Sequence, residues 1–260
     1  MKVGIGITTR NRSDILDICL DHFRYFENKN YPYSKIVVVD DNSDLYEKNN
    51  NIEICEKYSA DYYYNFDRKG IAKTKNVCIS RLKDCDYIFL LDDDCFPKQH
   101  GWDNYYINIY EETGIEHMLW MQPEVQEHLQ LIETVGNINK FSNCMGVLMF
   151  FTKNAIEQLG GFDPRFNIYG FEHAQLSKRA NDAGLMNNIG PYVAPKDCSN
   201  YIYSMDMNYQ WLYEPIPLVK LLNKKYSFIW KSSISYSDRE KYIQDNSEIW
   251  ISNYDIKVEI

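Results

Sequence analysis

The sequence predicts an α/β fold with a parallel sheet, and two features of its pattern indicate this. Short apolar runs that stop at polar residues alternate with longer segments of helical period. The run Tyr87–Leu91 ends at three consecutive aspartates, and the run Ile36–Val39 ends at Asp40 and Asp41. Apolar runs of this length are typical of strands that are covered on both faces. Strands that alternate with helices favour βα units and a parallel sheet.

The length and composition predict one large domain, or a domain with a subordinate lobe. The chain has 260 residues, of which 45% are hydrophobic. No internal repeat or low-complexity linker divides it. We therefore draw a soft boundary near residue 100 and expect three parts, which are 1–100, 101–200 and an aromatic-rich extension, 201–260. The oligomeric state is left open by the sequence.

Charge and cysteine usage exclude some classes of protein. The formal net charge is −9, with 37 acidic and 28 basic residues, which argues against a partner held mainly by its phosphate backbone. The seven cysteines include no CxxC pair, so we expect reduced thiols with structural roles. No apolar run reaches the roughly 18 residues that span a bilayer, and "MKVGIGITTRNR" lacks the apolar core of a signal peptide. A cytoplasmic protein without a stable membrane span is predicted.

The first half of the chain predicts three βα units and a fourth strand. The opening "KVGIGITT" is a strand, and the helix that follows takes Ser13 or Asp14 as its N-cap. The strand that ends at Asp40 is followed by a helical segment around Asn51–Tyr58. A third strand, "DYYYNF", precedes the helix "RKGIAKTKNVCISRLKDC", whose start is loosened by Gly70. The strand in "YIFLLDDDCFP" comes next.

The second half is less regular. "GVLMFFTKNAIEQLGGFDPRF" predicts a strand, a short helix from about Asn154 and a Gly-Gly turn. "GFEHAQLSKRANDAG" predicts another helix, with an acid at its positive amino end and Gly184 at its end. Tyr209, Trp211 and Tyr213 lie in the aromatic-rich remainder. They could form an acceptor or lid surface, but a small aromatic core is the favoured interpretation.

The two acidic clusters predict a binding site. Parallel strands end at the same edge of a sheet, which is where ligands bind in open α/β folds. Adjacent carboxylates repel one another and resist burial, so a run of three normally lies in solvent or around a cation. A hard divalent cation such as Mg²⁺ or Mn²⁺ would relieve the repulsion at Asp92–Asp94. The alternative for this run alone is a solvated turn.

Five segments, in order along the chain, resemble the inverting glycosyltransferases of GT-A fold, which use nucleotide-sugar donors. They are "ITTRNR", "VVVDDNSD", "GIAKTKN", "FLLDDDCFP" and "GGFDPRFNIYGFEHAQLSKRANDAG", and together they span about residues 1 to 190. Each segment is a weak signal, whereas their order and spacing are specific. The resemblance implies a GT-A fold, in which residues 1–100 form a Rossmann-like, nucleotide-sugar-binding half and residues 101–200 an acceptor-binding, catalytic half.

The resemblance also implies a nucleotide pocket. Thr8 and Arg10 would line it at the end of the first strand. Asp41 would accept a hydrogen bond from the base, with Asp40 close by. The alternative for Asp40 and Asp41 is an Asx turn that ends a strand.

A further segment of the family pattern, "GIAKTKN", would contact the donor. Gly70 would permit close approach of the backbone to the donor. Lys73 and Lys75 could contact phosphate, or could be solvated lysines on a helix.

The run Asp92–Asp94 matches the Asp-x-Asp motif of the family. The match implies that Asp94 binds Mn²⁺ or Mg²⁺ on the donor diphosphate, and that Asp92 contacts the ribose or a metal-bound water. A register shift of one residue would give Asp93 one of these roles. Relatives often supply a histidine as a third ligand, and this region has none. Asp197 or Cys198 could replace it, or the diphosphate and water could complete the site.

The last segment implies the catalytic base. Relatives begin this helix with Glu-Asp, and the chain has Glu172-His173 instead. Adjacent helical residues point about 100° apart, so one of the two faces the acceptor. We predict Glu172 as the general base, with His173 as the alternative base or as a contact to the metal or acceptor. A carboxylate that stabilises a helix end and a packed polar histidine are the structural alternatives.

These implications predict a hexosyl- or pentosyltransferase. It would move a sugar from a nucleotide-diphosphate donor, most simply a UDP-sugar, to a hydroxyl acceptor with inversion and with metal assistance. A retaining GT-A transferase is one alternative, and a noncatalytic nucleotide- or carbohydrate-binding module is another. The acceptor is open among a glycan, a lipid-linked glycan, a protein and a modified nucleobase, of which the net negative charge disfavours the last.

Overall fold

The computed structural model describes residues 1–122, 129–166 and 172–205. The expected aromatic cluster of Tyr209, Trp211 and Tyr213 lies outside the described residues, as does all of the predicted extension after residue 205. The helices are α1 Ser13–Tyr25, α2 Leu45–Lys57, α3 Ile71–Leu82, α4 Trp102–Thr113, α5 Lys153–Leu159, α6 Glu172–Asp182 and α7 Cys198–Tyr201. The strands are β1 Val3–Thr9, β2 Lys35–Asp40, β3 Asp61–Tyr64, β4 Tyr87–Asp92, β5 Cys95–Pro97, β6 His117–Leu119, β7 Leu131–Val135, β8 Ile138–Phe141, β9 Leu148–Thr152, β10 Val193–Pro195 and β11 Ile202–Ser204.

A six-stranded mixed sheet in the order β3-β2-β1-β4-β9-β6 is the centre of the fold. Strands β1 to β4 are mutually parallel, whereas β9 runs antiparallel to both β4 and β6. The predicted α/β class with parallel strands is therefore confirmed. Strands β9 and β6 come from the second half of the chain, so this sheet crosses the soft boundary near residue 100.

Two glycines of β1 let α3 pack closely on the sheet. A Cβ atom at Gly4 would lie 2.9 Å from Leu82 Cδ2, and one at Gly6 would lie 2.8 Å from Cys78 Cβ. Both distances are shorter than real contacts, so larger residues would push α3 away from β1. The amino end of α3 lies beside the acidic edge of the sheet. The close packing of α3 on β1 therefore also sets how far the polar side chains of α3 reach towards that edge.

Two predicted helix boundaries differ from the structure. Neither Ser13 nor Asp14 is the N-cap of α1, because the helix already begins at Ser13. The Ser13 amide instead donates 2.8 Å to Glu47 of α2, a tertiary contact that replaces a local cap. Helix α2 begins six residues before the predicted Asn51, since Asp44 caps it by accepting from the Glu47 amide at 3.0 Å.

Two smaller sheets flank the acidic end of β4. Strand β5 follows directly after the aspartates and pairs antiparallel with β11, and the Met205 amide donates to Asp94 O at 2.8 Å. The three-stranded sheet β10-β8-β7 is antiparallel, and residues 142–147 connect β8 to β9. Within the described ranges, no helix has the length and apolar character needed to cross a membrane.

Candidate active site

Strands β2, β1 and β4 bring polar residues together at their carboxyl ends. In the register of the sheet, Thr8 lies beside Asp92, and Thr9 lies beside Asp40. The two acidic clusters are therefore separated only by β1, as the parallel arrangement predicts.

The three aspartates after β4 have different environments. Asp92 is half-buried, and its Oδ1 accepts from Thr8 Oγ1 at 3.1 Å and lies 3.0 Å from Lys75 Nζ. Asp93 is buried and accepts from Thr9 Oγ1 at 2.6 Å and from the Arg12 guanidinium. Burial raises the pKa of Asp93 to about 7, although Arg12 opposes this rise. Asp93 thus faces the protein interior. An alignment of the Asp-x-Asp motif that gives Asp93 the role of a ligand is therefore disfavoured.

Asp94 has the features of a metal ligand. One carboxylate oxygen, Oδ2, accepts from Arg12 at 3.0 Å. The other, Oδ1, is buried and has no hydrogen-bond partner among the described residues. A buried, unpartnered carboxylate oxygen is costly unless a ligand satisfies it. Oxygen donors suit Mg²⁺ or Mn²⁺, so Asp94 and the neighbouring Asp92 fit such an ion.

A third protein ligand, which the sequence left open, is not found among the described residues. Across residues 1–122, 129–166 and 172–205, no three His, Cys, Asp or Glu side chains are grouped to hold a metal. Cys198 Sγ lies 3.4 Å from Met121 O, and the Asp197 amide donates to Tyr105. The remaining ligands would then be diphosphate oxygens and water.

Asp40 anchors the turn after β2. Its Oδ1 accepts from the Ser43 amide at 2.8 Å, and its Oδ2 accepts from Asn51 Nδ2 at 2.9 Å and from the Tyr62 hydroxyl at 2.8 Å. Its side chain is fully buried. This geometry matches the turn alternative for Asp40, because both oxygens already have protein donors.

Asp41 organises the loop that leads to α3. It accepts from the amides of Lys69 at 2.7 Å and Gly70 at 2.9 Å, and also from Asn65 Nδ2 at 3.1 Å. Gly70 has φ +83°, a conformation that favours glycine. Nearby, the Nε atom of Arg10 is buried without a hydrogen-bond partner in the described part of the chain. It is a donor available to a ligand at this edge.

The two lysines of α3 lie on opposite faces. Lys73 is exposed to solvent, whereas the Lys75 side chain is buried. Two helical residues in this spacing point about 200° apart, which explains the difference. Lys75 Nζ donates to Gly146 O at 2.8 Å and contacts Asp92. Lys73 therefore matches the solvated alternative, and Lys75 is the lysine that reaches the acids.

Glu172 and His173 form a buried ion pair at the start of α6. His173 Nδ1 lies 3.2 Å from Glu172 Oε1. Burial alone would raise the pKa of Glu172, but His173 and then Lys75 lower it to about 2. Burial alone would lower the pKa of His173, but Cys144 and Glu172 raise it. At neutral pH the pair is thus a carboxylate and an imidazolium, and the carboxylate is the member that can accept a proton.

Asn76 and Arg179 hold the Gly-Gly turn before α6. Asn76 makes two hydrogen bonds with the Phe162 backbone, accepting from its amide at 2.7 Å and donating to its carbonyl at 2.8 Å. Arg179 of α6 donates to Leu159 O at 2.9 Å and to Gly161 O. Helices α3 and α6 are therefore joined through this turn, which relates the position of Glu172 to that of Lys75.

The sequence interpretation missed Arg12, Asn76 and Arg179. Arg12 lies two residues after Arg10 in "ITTRNR", and only the fold reveals that it reaches Asp93 and Asp94. Asn76 ends the quoted "GIAKTKN", so its position was visible although its partner was not. Arg179 looked like an ordinary helix residue, and nothing local indicates that it is buried.

Comparison with known proteins supports an assignment from both sequence and fold. The family model Glycosyl transferase family 2 matches residues 5–117. An uncharacterized glycosyltransferase of Acanthamoeba polyphaga mimivirus is 29% identical over 218 residues, which cover 78% of this chain and 80% of the relative.

Two solved structures share the fold. The mannosyltransferase PcManGT of Pyrobaculum calidifontis, in complex with GDP-Man and Mn²⁺, has a TM-score of 0.58 and 16% identity over 76% of this chain. GalNAc-T7 with UDP, GalNAc and Mn²⁺ has a TM-score of 0.60 and 13% identity over 98% of this chain. The chain spans only 55% and 56% of these two proteins. Residues 5–117 thus match the Glycosyl transferase family 2 model, the fold is GT-A, and the chain is a glycosyltransferase.

Proposed function

We propose that this enzyme transfers a sugar from a UDP-sugar to a hydroxyl acceptor, with inversion at the anomeric carbon. The observation that carries this proposal is the relation of Lys75 to two carboxylates. Its ammonium contacts Asp92 on the donor side, and its charge lowers the pKa of Glu172. A single buried cation therefore lies between a candidate donor site and a candidate base.

The donor site would use the carboxyl edge of residues 1–100. We assign the nucleotide to the surface of Thr8, Arg10 and Asp41, which is supported by the unpartnered Arg10 Nε. Asp94 and Asp92 would hold Mn²⁺ or Mg²⁺, as the unpartnered Asp94 Oδ1 supports. Such an ion neutralises the charge that develops on a departing diphosphate. The complexes of PcManGT with GDP-Man and Mn²⁺ and of GalNAc-T7 with UDP and Mn²⁺ make a nucleotide-sugar and a divalent ion the first ligands to test.

Glu172, in residues 101–200, would act as the base. The acceptor oxygen attacks the anomeric carbon while the bond from that carbon to the diphosphate breaks, and the diphosphate takes the electron pair. The hydroxyl proton passes to a Glu172 carboxylate oxygen. Since the pKa of Glu172 is about 2, transfer of the proton is favourable only after the new carbon–oxygen bond has largely formed. His173 remains protonated and orients the carboxylate.

Two measurements test this proposal. A calorimetric panel of UDP- and GDP-sugars with Mn²⁺ should give binding for at least one UDP-sugar. NMR analysis of the product formed with a simple sugar acceptor should show the anomeric configuration opposite to that of the donor. Retention would favour a retaining transferase on the same fold. Binding without transfer, and without hydrolysis of the donor, would favour a noncatalytic module.

A further inference from the structure

Asp94 presents only one carboxylate oxygen to a ligand. The residue is 2% exposed, and its backbone carbonyl accepts from the Met205 amide at 2.8 Å. Oδ2 of the side chain accepts from Arg12 Nη1 at 3.0 Å. Oδ1 is the oxygen that is buried without a hydrogen-bond partner in the described part of the chain. Both the backbone and one oxygen of Asp94 are therefore held in place, and the other oxygen is left for a ligand.

Arg12 holds two neighbouring aspartates at once. Nη1 contacts Asp94, and Nη2 contacts Asp93, whose side chain is fully buried. Asp93 is also fixed from the other side, because Thr9 Oγ1 donates to its Oδ2 at 2.6 Å. A guanidinium is planar and its N–H groups form a rigid fork, so the arm on Asp93 fixes the direction of the arm on Asp94. The orientation of the Asp94 carboxylate thus depends on Arg12.

The backbone on both sides of Arg12 is fixed as well. The Asn11 amide donates to Ser43 Oγ at 2.8 Å, and Asn11 Oδ1 accepts from the Asp44 amide at 2.9 Å. These bonds stabilise the left-handed conformation of Asn11, which has φ +54°. On the other side, the Ser13 amide donates to α2 at 2.8 Å. Arg12 therefore starts from a defined point between the loop after β2 and the beginning of α1.

The number of oxygens that a carboxylate offers distinguishes divalent ions. Ca²⁺ takes about six to eight oxygen ligands in flexible geometry and often binds both oxygens of one carboxylate. Mg²⁺ is smaller and requires a nearly octahedral arrangement, and Mn²⁺ also suits octahedral oxygen sites. One oxygen per carboxylate is sufficient for the smaller ions. With Oδ2 engaged by Arg12, Asp94 cannot bind an ion through both oxygens.

We propose that Arg12 is a positioning residue that makes the site select Mn²⁺ or Mg²⁺ over Ca²⁺, by limiting Asp94 to one metal-facing oxygen. This proposal rests on the metal role of Asp94 in the function proposed above. Arg12 does not touch the ion, because both are positively charged. Its charge weakens the binding of every divalent ion alike, whereas its hydrogen bond to Oδ2 withholds an oxygen that Ca²⁺ in particular would use.

The ratio of two ion affinities separates these two effects. Mn²⁺ and Ca²⁺ are titrated calorimetrically into the full-length protein in saturating UDP, for the wild type and for Arg12→Met. UDP binds each ion equally well in the solutions of both proteins, so its contribution cancels in the comparison. The preference for Mn²⁺ over Ca²⁺ should fall about tenfold in Arg12→Met. If both affinities change by the same factor, Arg12 acts through its charge alone and the proposal is overturned.

Arg24→Met is the matched control. Arg24 lies at the opposite end of α1, where it donates to Tyr58 O at 2.8 Å and pairs with Glu27. The substitution removes the same charge from the same helix without touching the aspartates. It should leave the preference for Mn²⁺ over Ca²⁺ unchanged. A fall as large as that of Arg12→Met would overturn the assignment to Arg12.

The wild type decides if Arg12→Met does not fold, as shown by the loss of its thermal unfolding transition. The wild-type protein with UDP should prefer Mn²⁺ over Ca²⁺ by more than UDP alone does, and an equal preference would overturn the proposal. If neither ion changes the affinity of the folded wild type for UDP, the proposed metal role of Asp94 is wrong and this proposal falls with it. If Mn²⁺ does strengthen UDP binding but Arg12→Met keeps the wild-type preference, only the role of Arg12 is refuted.

Discussion

Lys75 Nζ lies 3.0 Å from Asp92 Oδ1, and this pair joins α3 to the acidic end of β4. The Lys75 side chain is buried, whereas that of Asp92 is 23% exposed. Lys75 therefore pairs from the protein interior with the Asp92 carboxylate, which faces the candidate donor site. The same ammonium donates to the carbonyl of Gly146, and a Cβ atom at this glycine would lie 2.7 Å from His173 Cγ. The candidate donor and acceptor sides of the site thus share the Lys75 ammonium.

The first prediction concerns this cation. Lys75→Met removes one member of a buried ion pair and leaves Asp92 without its partner, so the free energy of unfolding should fall by about 3 kcal/mol. Urea unfolding measures this change. The matched control is Lys73→Met, on the exposed face of the same helix, which should change stability by less than about 0.5 kcal/mol. Equal effects of the two substitutions would contradict the buried role of Lys75.

The second prediction concerns the metal. UDP should bind at least about tenfold more weakly in chelator than in Mn²⁺, because Asp94 and Asp92 would hold the ion on the diphosphate. Asp94→Asn should remove most of this difference, as measured by calorimetry. Asp44→Asn, at the N-cap of α2, is the control and should leave the difference in UDP affinity between Mn²⁺ and chelator intact. The same affinity with and without chelator in the wild type would exclude the metal role.

The third prediction concerns the base. Glu172→Gln keeps the size of the side chain but cannot accept the proton, so donor binding should survive while turnover falls by about 10²–10⁴. His173→Ala should lose less, since the imidazolium only orients the carboxylate. Turnover at saturating donor measures both. If His173→Ala is the more damaging substitution, the histidine is the base. The fall in wild-type turnover at acidic pH should then follow the protonation of His173.

The fourth prediction concerns pH and His117. This buried residue of β6 bridges β9 and α6, because its Nδ1 donates to Phe150 O at 2.9 Å and its Nε2 accepts from the Ser177 hydroxyl at 2.8 Å. Burial lowers its pKa from 6.5 to about 4. Because the folded pKa is the lower one, the stabilisation is present above pH 6.5 and is lost as pH falls towards 4, by up to about 3 kcal/mol.

The measurement is urea unfolding of the wild type and of His117→Gln between pH 7 and pH 4. The variant cannot titrate at this position, so the difference in stability between the two proteins should shrink across this range. A difference that stays constant with pH would show that His117 does not carry the effect.

The fifth prediction concerns Asn76. Asn76→Ala leaves the amide and carbonyl of Phe162 without their partners, which should lower the free energy of unfolding by about 2–4 kcal/mol. Turnover should fall more than donor affinity, because the turn at Phe162 is attached to α6 and not to the strand ends. A variant whose donor affinity falls as much as its turnover would argue against this positioning role.

Much of the fold could be predicted because local patterns reported it. The apolar runs of β1, β2 and β4 and their polar ends indicated buried parallel strands, and this alone placed Thr8, Asp40 and Asp92 at one edge. Where the prediction was wrong, a partner distant in the chain decided the outcome. The start of α1 is an example, since the Ser13 amide is satisfied by Glu47 of another helix.

The sequence by itself indicated most of the candidate site residues, because acids, lysines and a Glu-His pair stand out by type and spacing. Only the tertiary structure decided what each one touches. Asp40 faces inward to three protein donors, and Lys75 rather than Lys73 reaches Asp92. Burial and long-range packing set these contacts, and neither is encoded in the few residues on either side of a site.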